Sequence, residues 1–312
     1  MIPLRGLGFL SLCLGIAGET GGGEPTRADG IRTAIADPAG GAVLIAAHRG
    51  GYATDREDEA PENSVANVAV AVARGFDLYE TDIRRTRDGV FVVVHDGTLD
   101  RETNGKGPVE NLDFPEVEKL RKRYRDGSLS SEKVATLEAL LEAGRGKLLF
   151  KADLKPGVIE HFDELAALID RLGMNRDVFL RTSLKDARII GEAFSRGVPR
   201  VEIMFKVDRA AQVSRVAEAF SPRTIQVNFE KGEPLTREKM ETIHEATAAG
   251  ICVETHSYGD PETWEQLIES GVRMLHTALP DRTLEHLRRT GRRADLDARV
   301  ERSADRVHMV PR

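Results

Sequence analysis

The feature that most limits what this chain can fold into is its alternation. From 158 to 289, helix-patterned stretches and short apolar runs succeed one another without a break. Amphipathic spacing over 158–172, 185–195, 209–220 and 236–249 predicts helices. Each leads into a short strand, over 178–181, 200–205, 224–228 and 251–255 in turn. Asp260 and Pro261 form an N-cap and first-turn pair for a helix to Ser270. A strand over 272–277 and a helix over 282–289 follow.

The first half carries the same rhythm with one interruption. Residues 43–47 are a continuous apolar run, suited to a parallel strand buried on both faces, and end in His48-Arg49-Gly50-Gly51. After a polar, acidic loop over 52–60, Pro61 suits the first position of a helix running to Arg74. A strand from Leu78 carries Glu80 and Asp82, turns at Arg87-Asp88-Gly89 and returns over 90–94 to His95-Asp96. Residues 97–131 break the pattern with Gly105, Gly107, Pro108, a short helix over 115–123 and a charged loop, which reads as an insertion. Thr136 caps a helix over 136–143, and a strand over 147–154 carries Asp153 and ends in Lys155-Pro156-Gly157. Eight main strands, each followed by a helix, predict a (β/α)8 TIM barrel with a small insertion after the second strand. An open doubly wound sheet is the alternative, but it does not need so many units.

The ends read differently. Arg5, the apolar run 7–17 and the small-x-small site Gly15-Ile16-Ala17 have the form of a secretory signal over 1–17. The Gly-rich segment after it makes 18–40 a flexible linker, 41–290 the barrel and 291–312 a charged tail. This organisation implies a secreted or periplasmic protein, or a cytoplasmic one if there is no signal. Of two cysteines, Cys13 and Cys252, only the second would survive cleavage, so no disulfide framework is expected. No apolar run reaches the roughly 18 residues of a transmembrane segment. A net charge of −6 offers no basic surface for nucleic acid.

The polar residues at strand ends carry the chemistry. Glu80 and Asp82, two apart on one strand, point to the same face. Like charges held that close are unfavourable unless a cation or proton lies between them, and a hard divalent metal suits oxygen ligands. In a TIM barrel the active site lies at the C-terminal ends of the strands. His48 and Arg49, Glu80 and Asp82, His95, Asp153 and Lys155, and Glu254 and His256 all fall there. Acids with a cation, Arg and Lys for a phosphate, and histidines as acid and base make up a site for metal-assisted phosphoryl transfer. Glu254, on the same strand face as Cys252 and His256, is expected at the barrel mouth, where it would contact the alcohol of a substrate. A local Glu254–His256 ion pair is the other reading.

His48-Arg49-Gly50, Pro61-Glu62-Asn63-Ser64, Glu80-Thr81-Asp82, Asp88-Gly89, His95-Asp96, Leu99-Asp100-Arg101, Thr103-Asn104-Gly105 and Thr136-Leu137-Glu138 occur in a characteristic order and spacing. In this the chain resembles the glycerophosphodiester phosphodiesterase family. The resemblance implies a TIM barrel and a small-molecule phosphodiester substrate. It also implies a divalent cation, Ca2+ or Mg2+, on Glu80, Asp82 and Asp153. It further implies acid/base roles for His48 and His95, phosphate contacts from Arg49 and Lys155, and a site-lining pair in Glu62 and Asn63.

The chain departs from the family in several places, Asn228-Phe229-Glu230 at the sixth strand among them. Asp153 stands where relatives usually carry Glu, Val253-Glu254-Thr255-His256-Ser257 lacks the usual aromatic, and Thr277-Ala278-Leu279-Pro280 lacks the usual Asp. The implied reaction releases an alcohol and a phosphomonoester. A lysophospholipase D-like or phosphoinositol-directed enzyme, or a non-catalytic phosphoester-binding barrel, are the alternatives. His161, His244, His276, His286 and His308 read as surface or structural histidines, and Cys252 and Trp264 as core.

Overall fold

The short apolar runs become the staves of a closed barrel. The computed structural model describes residues 25–51 and 60–293. Its strands are β1 (Leu44–Ala47), β2 (Leu78–Arg85), β3 (Phe91–Val93), β4 (Arg121–Arg123), β5 (Leu129–Lys133), β6 (Leu149–Leu154), β7 (Val178–Ser183), β8 (Glu202–Val207), β9 (Thr224–Val227), β10 (Cys252–His256) and β11 (Met274–Thr277). Eight are parallel neighbours in the order β1-β2-β6-β7-β8-β9-β10-β11, and β11 pairs with β1 to close the ring. Antiparallel β3 folds back on β2. The insertion supplies a separate two-stranded sheet, β4 with β5, so the expected TIM barrel and its insertion are both present.

The helices are α1 (Arg27–Ala36), α2 (Val65–Arg74), α3 (Phe114–Val117), α4 (Leu137–Gly144), α5 (Phe162–Arg171), α6 (Ala187–Ser195), α7 (Ala210–Phe220), α8 (Arg237–Ala248), α9 (Pro261–Glu269) and α10 (Pro280–Arg289). The last seven and α2 cover the barrel. Outward strand residues such as Val43, Ile45, Tyr79, Phe150, Leu180 and Phe205 bury against them in one continuous core. None of the described helices is long and apolar enough to cross a membrane.

Four local expectations are corrected. Part of the supposed linker is α1, whose Ala28, Ile31, Ala34 and Ile35 pack onto inward residues Leu44, Leu78, Leu149, Phe179, Met204, Cys252 and Met274. A capping box at Thr26 and Asp29 starts this helix, and its apolar face stoppers the N-terminal end of the barrel. The charged tail begins inside the fold. Arg293 is buried on the Asp77 carboxylate, to which Arg27 also donates at 2.8 Å. Asp77 in turn accepts from the Ile45 N–H at 2.9 Å, tying both ends of the barrel chain to β1. The helix expected from Pro61 starts at Val65, because Ser64 caps it by accepting from the Asn67 N–H. Only Phe114–Val117 of the helix expected over 115–123 forms, and Arg121–Arg123 is strand. The expected signal over 1–17, the start of the linker and the tail beyond 293 lie outside the described residues.

If α1 is a stopper, Ile31→Ala should cost about 2–5 kcal/mol, the usual penalty for emptying a fully buried aliphatic site. Urea unfolding followed by circular dichroism measures it, and an unchanged midpoint would mean that α1 adds nothing to the barrel.

Candidate active site

Inward residues of the barrel change from apolar to polar along its axis. Above the layer that meets α1, the next inward residues are Glu80, Lys151, Glu254 and His276, all buried. Two residues further along their strands come Asp82, Asp153 and His256, and His48 follows β1. Register fixes these neighbours: Glu80 lies beside Lys151, Asp82 beside Asp153, and His256 beside His276.

Glu80, Asp82 and Asp153 bring one oxygen each to within 4.8 Å of one another. Burial, then the charges of Asp82 and Asp153, push the Glu80 carboxyl well above its ordinary range. Burial would push Asp82 the same way. The charges of Lys155 and His95, with hydrogen bonds from Lys155 and Asn63, hold it below its ordinary value instead. Lys155 Nζ reaches Asp82 Oδ1 at 2.7 Å, Asn63 Nδ2 donates to Asp82 Oδ2 at 3.0 Å, and the Arg49 N–H donates to Glu80 Oε2 at 2.7 Å. Arg181, on β7, meets Asp153 Oδ2 at 3.2 Å, while Asp153 Oδ1 is buried with no hydrogen-bond partner among the described residues. Three converging carboxylates, one with an unsatisfied oxygen, fit a hard oxygen-binding cation.

The His48–Gly51 turn sets the other wall. Arg49 and Asn63 both lie in the left-handed region, at φ 49° and 51°, an unusual cost for non-glycine residues that clusters at functional sites. Gly50 has no alternative. A Cβ there would sit 2.3 Å from the Tyr79 ring and 2.4 Å from Asn67 Nδ2. On the hairpin side, His95 Nδ1 is 2.7 Å from Asp96 Oδ1, and Arg101 Nε donates to Asp96 Oδ2 at 2.6 Å. Arg101 also donates to Glu62 Oε1 at 2.7 Å, and Glu62 receives Arg49 at 3.2 Å. One chain of ion pairs therefore connects His95 to Arg49.

His48, His256 and His276 also approach one another. Burial, then the charge of Arg49, pushes His48 far below its ordinary value. Burial, then Lys151, pushes His256 down to about 3, so both rings are neutral near pH 7. His256 and His276 stack face to face, centroids 4.3 Å apart and tilted by 27°. Imidazole lone pairs lie in the ring plane, so stacked rings direct them side by side rather than at one ion. Tyr258 continues the stack on the outer face of His256 at 4.0 Å.

The structure thus gathers His48, Arg49, Glu80, Asp82, His95, Asp153 and Lys155 at one mouth. It does not bring Glu254 there. Glu254 is fully buried one layer down, where its Oε1 accepts from Lys151 Nζ at 2.9 Å, so its partner is Lys151 rather than His256. The inward face was read correctly, but a barrel has depth as well as a rim. Asn63 and Glu62 are buried too and act on Asp82 and Arg49.

Lys151, Arg181 and His276 inside the barrel and Tyr258 at its exposed rim are not assigned to the site by the sequence reading. Lys151 and His276 sit inside apolar runs, and Arg181 and Tyr258 follow theirs. The same-face rule applied to β6 would have found Lys151, two residues before Asp153.

Residues 48–282 match the sequence model of the glycerophosphoryl diester phosphodiesterase family, well over half of the chain, and the protein belongs to that family. A glycerophosphodiester phosphodiesterase of Caldanaerobacter subterraneus subsp. tengcongensis is 35% identical over 119 residues, covering 38% of this chain and 47% of the relative. The chain spans about half or less of the length of the first curated relatives it matches. Its fold resembles the crystal structure of a glycerophosphoryl diester phosphodiesterase from Parabacteroides distasonis, with a TM-score of 0.68 and 22% identity over 85% of this chain and 92% of that one. A glycerophosphodiester phosphodiesterase from Agrobacterium tumefaciens gives a TM-score of 0.61 and 29% identity over 77% and 97%.

Because Tyr79 and Asn67 fill the space beside Gly50, Gly50→Ala should destabilise the protein by about 1–3 kcal/mol through overpacking alone. A melting temperature equal to the parent's would show that the turn has room to spare.

Proposed function

We propose that the chain is a metal-dependent phosphodiesterase that hydrolyses glycerophosphodiester-like substrates to an alcohol and a phosphomonoester. The observation that carries this reading is the convergence of three acids, two cationic side chains and two histidines on one barrel mouth. Glu80, Asp82 and Asp153 would hold the cation, Ca2+ or Mg2+. When bound, it supplies charge neutralisation for a phosphate oxygen.

The remaining work falls to the chain's own side chains. Arg49 and Lys155 border the acids and offset the negative charge that grows on the phosphoryl group. His48, which follows β1 beside Arg49, is assigned the part of accepting the proton from the nucleophile. Asp96 Oδ1 meets His95 Nδ1 and fixes the orientation of the ring. His95 is assigned the donor's part, protonating the leaving alkoxide. Beyond His256, a cavity of about 360 Å3 lined by Phe229, Glu230, Leu235 and Tyr258 opens beside the mouth. It takes the alcohol, with Tyr258 as the aromatic surface that position 254 does not provide.

The division of labour can be tested by leaving group. Each of His48→Ala and His95→Ala should lower kcat on a glycerophosphodiester by about 10²–10⁴-fold, the usual worth of a placed acid or base. On a p-nitrophenyl phosphodiester, whose leaving group needs no proton, His95→Ala should recover most of the parental rate and His48→Ala should not. Equal defects on both substrates would overturn the assignment of donor and acceptor.

The metal is tested separately. EDTA should abolish turnover, excess Ca2+ or Mg2+ should restore it, and Asp82→Ala should not be restored. Full activity of Asp82→Ala in EDTA would end the metal reading.

A further inference from the structure

Beside Glu80, and one layer further in than Asp82 and Asp153, lies a buried cluster that the proposed chemistry does not use. Lys151 Nζ donates to Glu254 Oε1 at 2.9 Å and to His276 Nδ1 at 3.0 Å. All three side chains are enclosed, with Lys151 and Glu254 at 0% exposure and His276 at 4%. An ammonium has only donors, so the nitrogen it meets on His276 must accept. In a neutral imidazole that leaves the proton on Nε2. Nε2 has no hydrogen-bond partner among the described residues, and the carboxylate oxygen facing it is Glu80 Oε2, 3.6 Å away.

Glu80 is the acid with most need of such support. It is crowded by Asp82 and Asp153, and Oε2 receives the Arg49 N–H. An N–H from His276 on the same oxygen would steady the carboxylate from the opposite side. The outer partners of metal-binding carboxylates act in this way, and their loss typically costs about 10–100-fold in metal affinity.

We propose that Lys151, Glu254 and His276 are positioning residues for the cation site: Glu254 holds Lys151, Lys151 fixes the tautomer of His276, and His276 presents Nε2–H to Glu80. The inference rests on the reading of Glu80, Asp82 and Asp153 as cation ligands. It gives Glu254 a part in the reaction through β6 and β11 rather than through the substrate.

A role by charge alone makes the opposite forecast. Lys151 places a positive charge beside Glu80, and removing it would then tighten cation binding. The test therefore uses variants that leave the net charge of the cluster unchanged. Ca2+ is titrated by calorimetry, without substrate, into the full chain after removal of bound ions with EDTA. His276→Phe should bind Ca2+ about 10–100-fold more weakly than the parent. His276→Gln, which keeps an N–H donor, should recover part of the loss. The double variant Lys151→Met with Glu254→Leu, which removes the ion pair as a unit, should weaken binding as His276→Phe does. It also carries the test if His276→Phe fails to fold by circular dichroism.

Parental affinity in either folded variant overturns the relay while leaving the cation site intact. A parent chain that binds neither Ca2+ nor Mg2+ overturns the cation site, and the relay with it.

Discussion

Three carboxylates held together inside a barrel are the condition to which the rest of the site answers. Two unit charges about 4 Å apart repel by about 4 kcal/mol even at an effective dielectric constant of 20, and here there are three. Each acid has its own cationic neighbour: Lys155 for Asp82, Arg181 for Asp153, and Lys151 beside Glu80 in register. Those cations need holding in turn, by Glu254 for Lys151 and by Gln226 for Arg181. The polar half of the interior is thus one connected arrangement. The apolar half, stoppered by α1, carries the packing that keeps it in register.

The fold was legible because alternation is a property of neighbours in sequence. Strands and helices in the second half begin and end within a few residues of where apolar spacing and caps place them; Thr136 and Asp260 cap as their side chains suggest. The errors lie where the deciding contact is distant. Residues 27–36 look like a continuation of a Gly-rich leader, yet their Ile31 and Ile35 find partners on strands as far away as β11. Arg293 looks like part of a charged tail until Asp77 is seen beneath it. Pro61 could open a helix, but Ser64 is the better cap and Asn63 is held in a left-handed turn that excludes it from the helix.

The site divides the same way. Asp153, His48 and His95 lie at or just past strand ends, and Glu80 and Asp82 stand two apart on β2, so all five are visible in the sequence. Lys151 and His276 are not, since each sits among apolar neighbours with nothing local to mark it. A lysine at an inward position of a buried strand requires an anionic partner. That partner, Glu254, lies 103 residues further along. A single sequence shows the need for a partner but not which residue meets it.

The Lys151–Glu254 pair also sets a cost on changing this interior. An aromatic cannot be placed at position 254 alone, since that would strand an ammonium in the barrel interior. Breaking a buried pair from one side is far more damaging than exchanging both members for apolar residues. An apolar interior at this level is reached only by exchanging both members, on β6 and β10 together, so the way to it is a barrier rather than a slope.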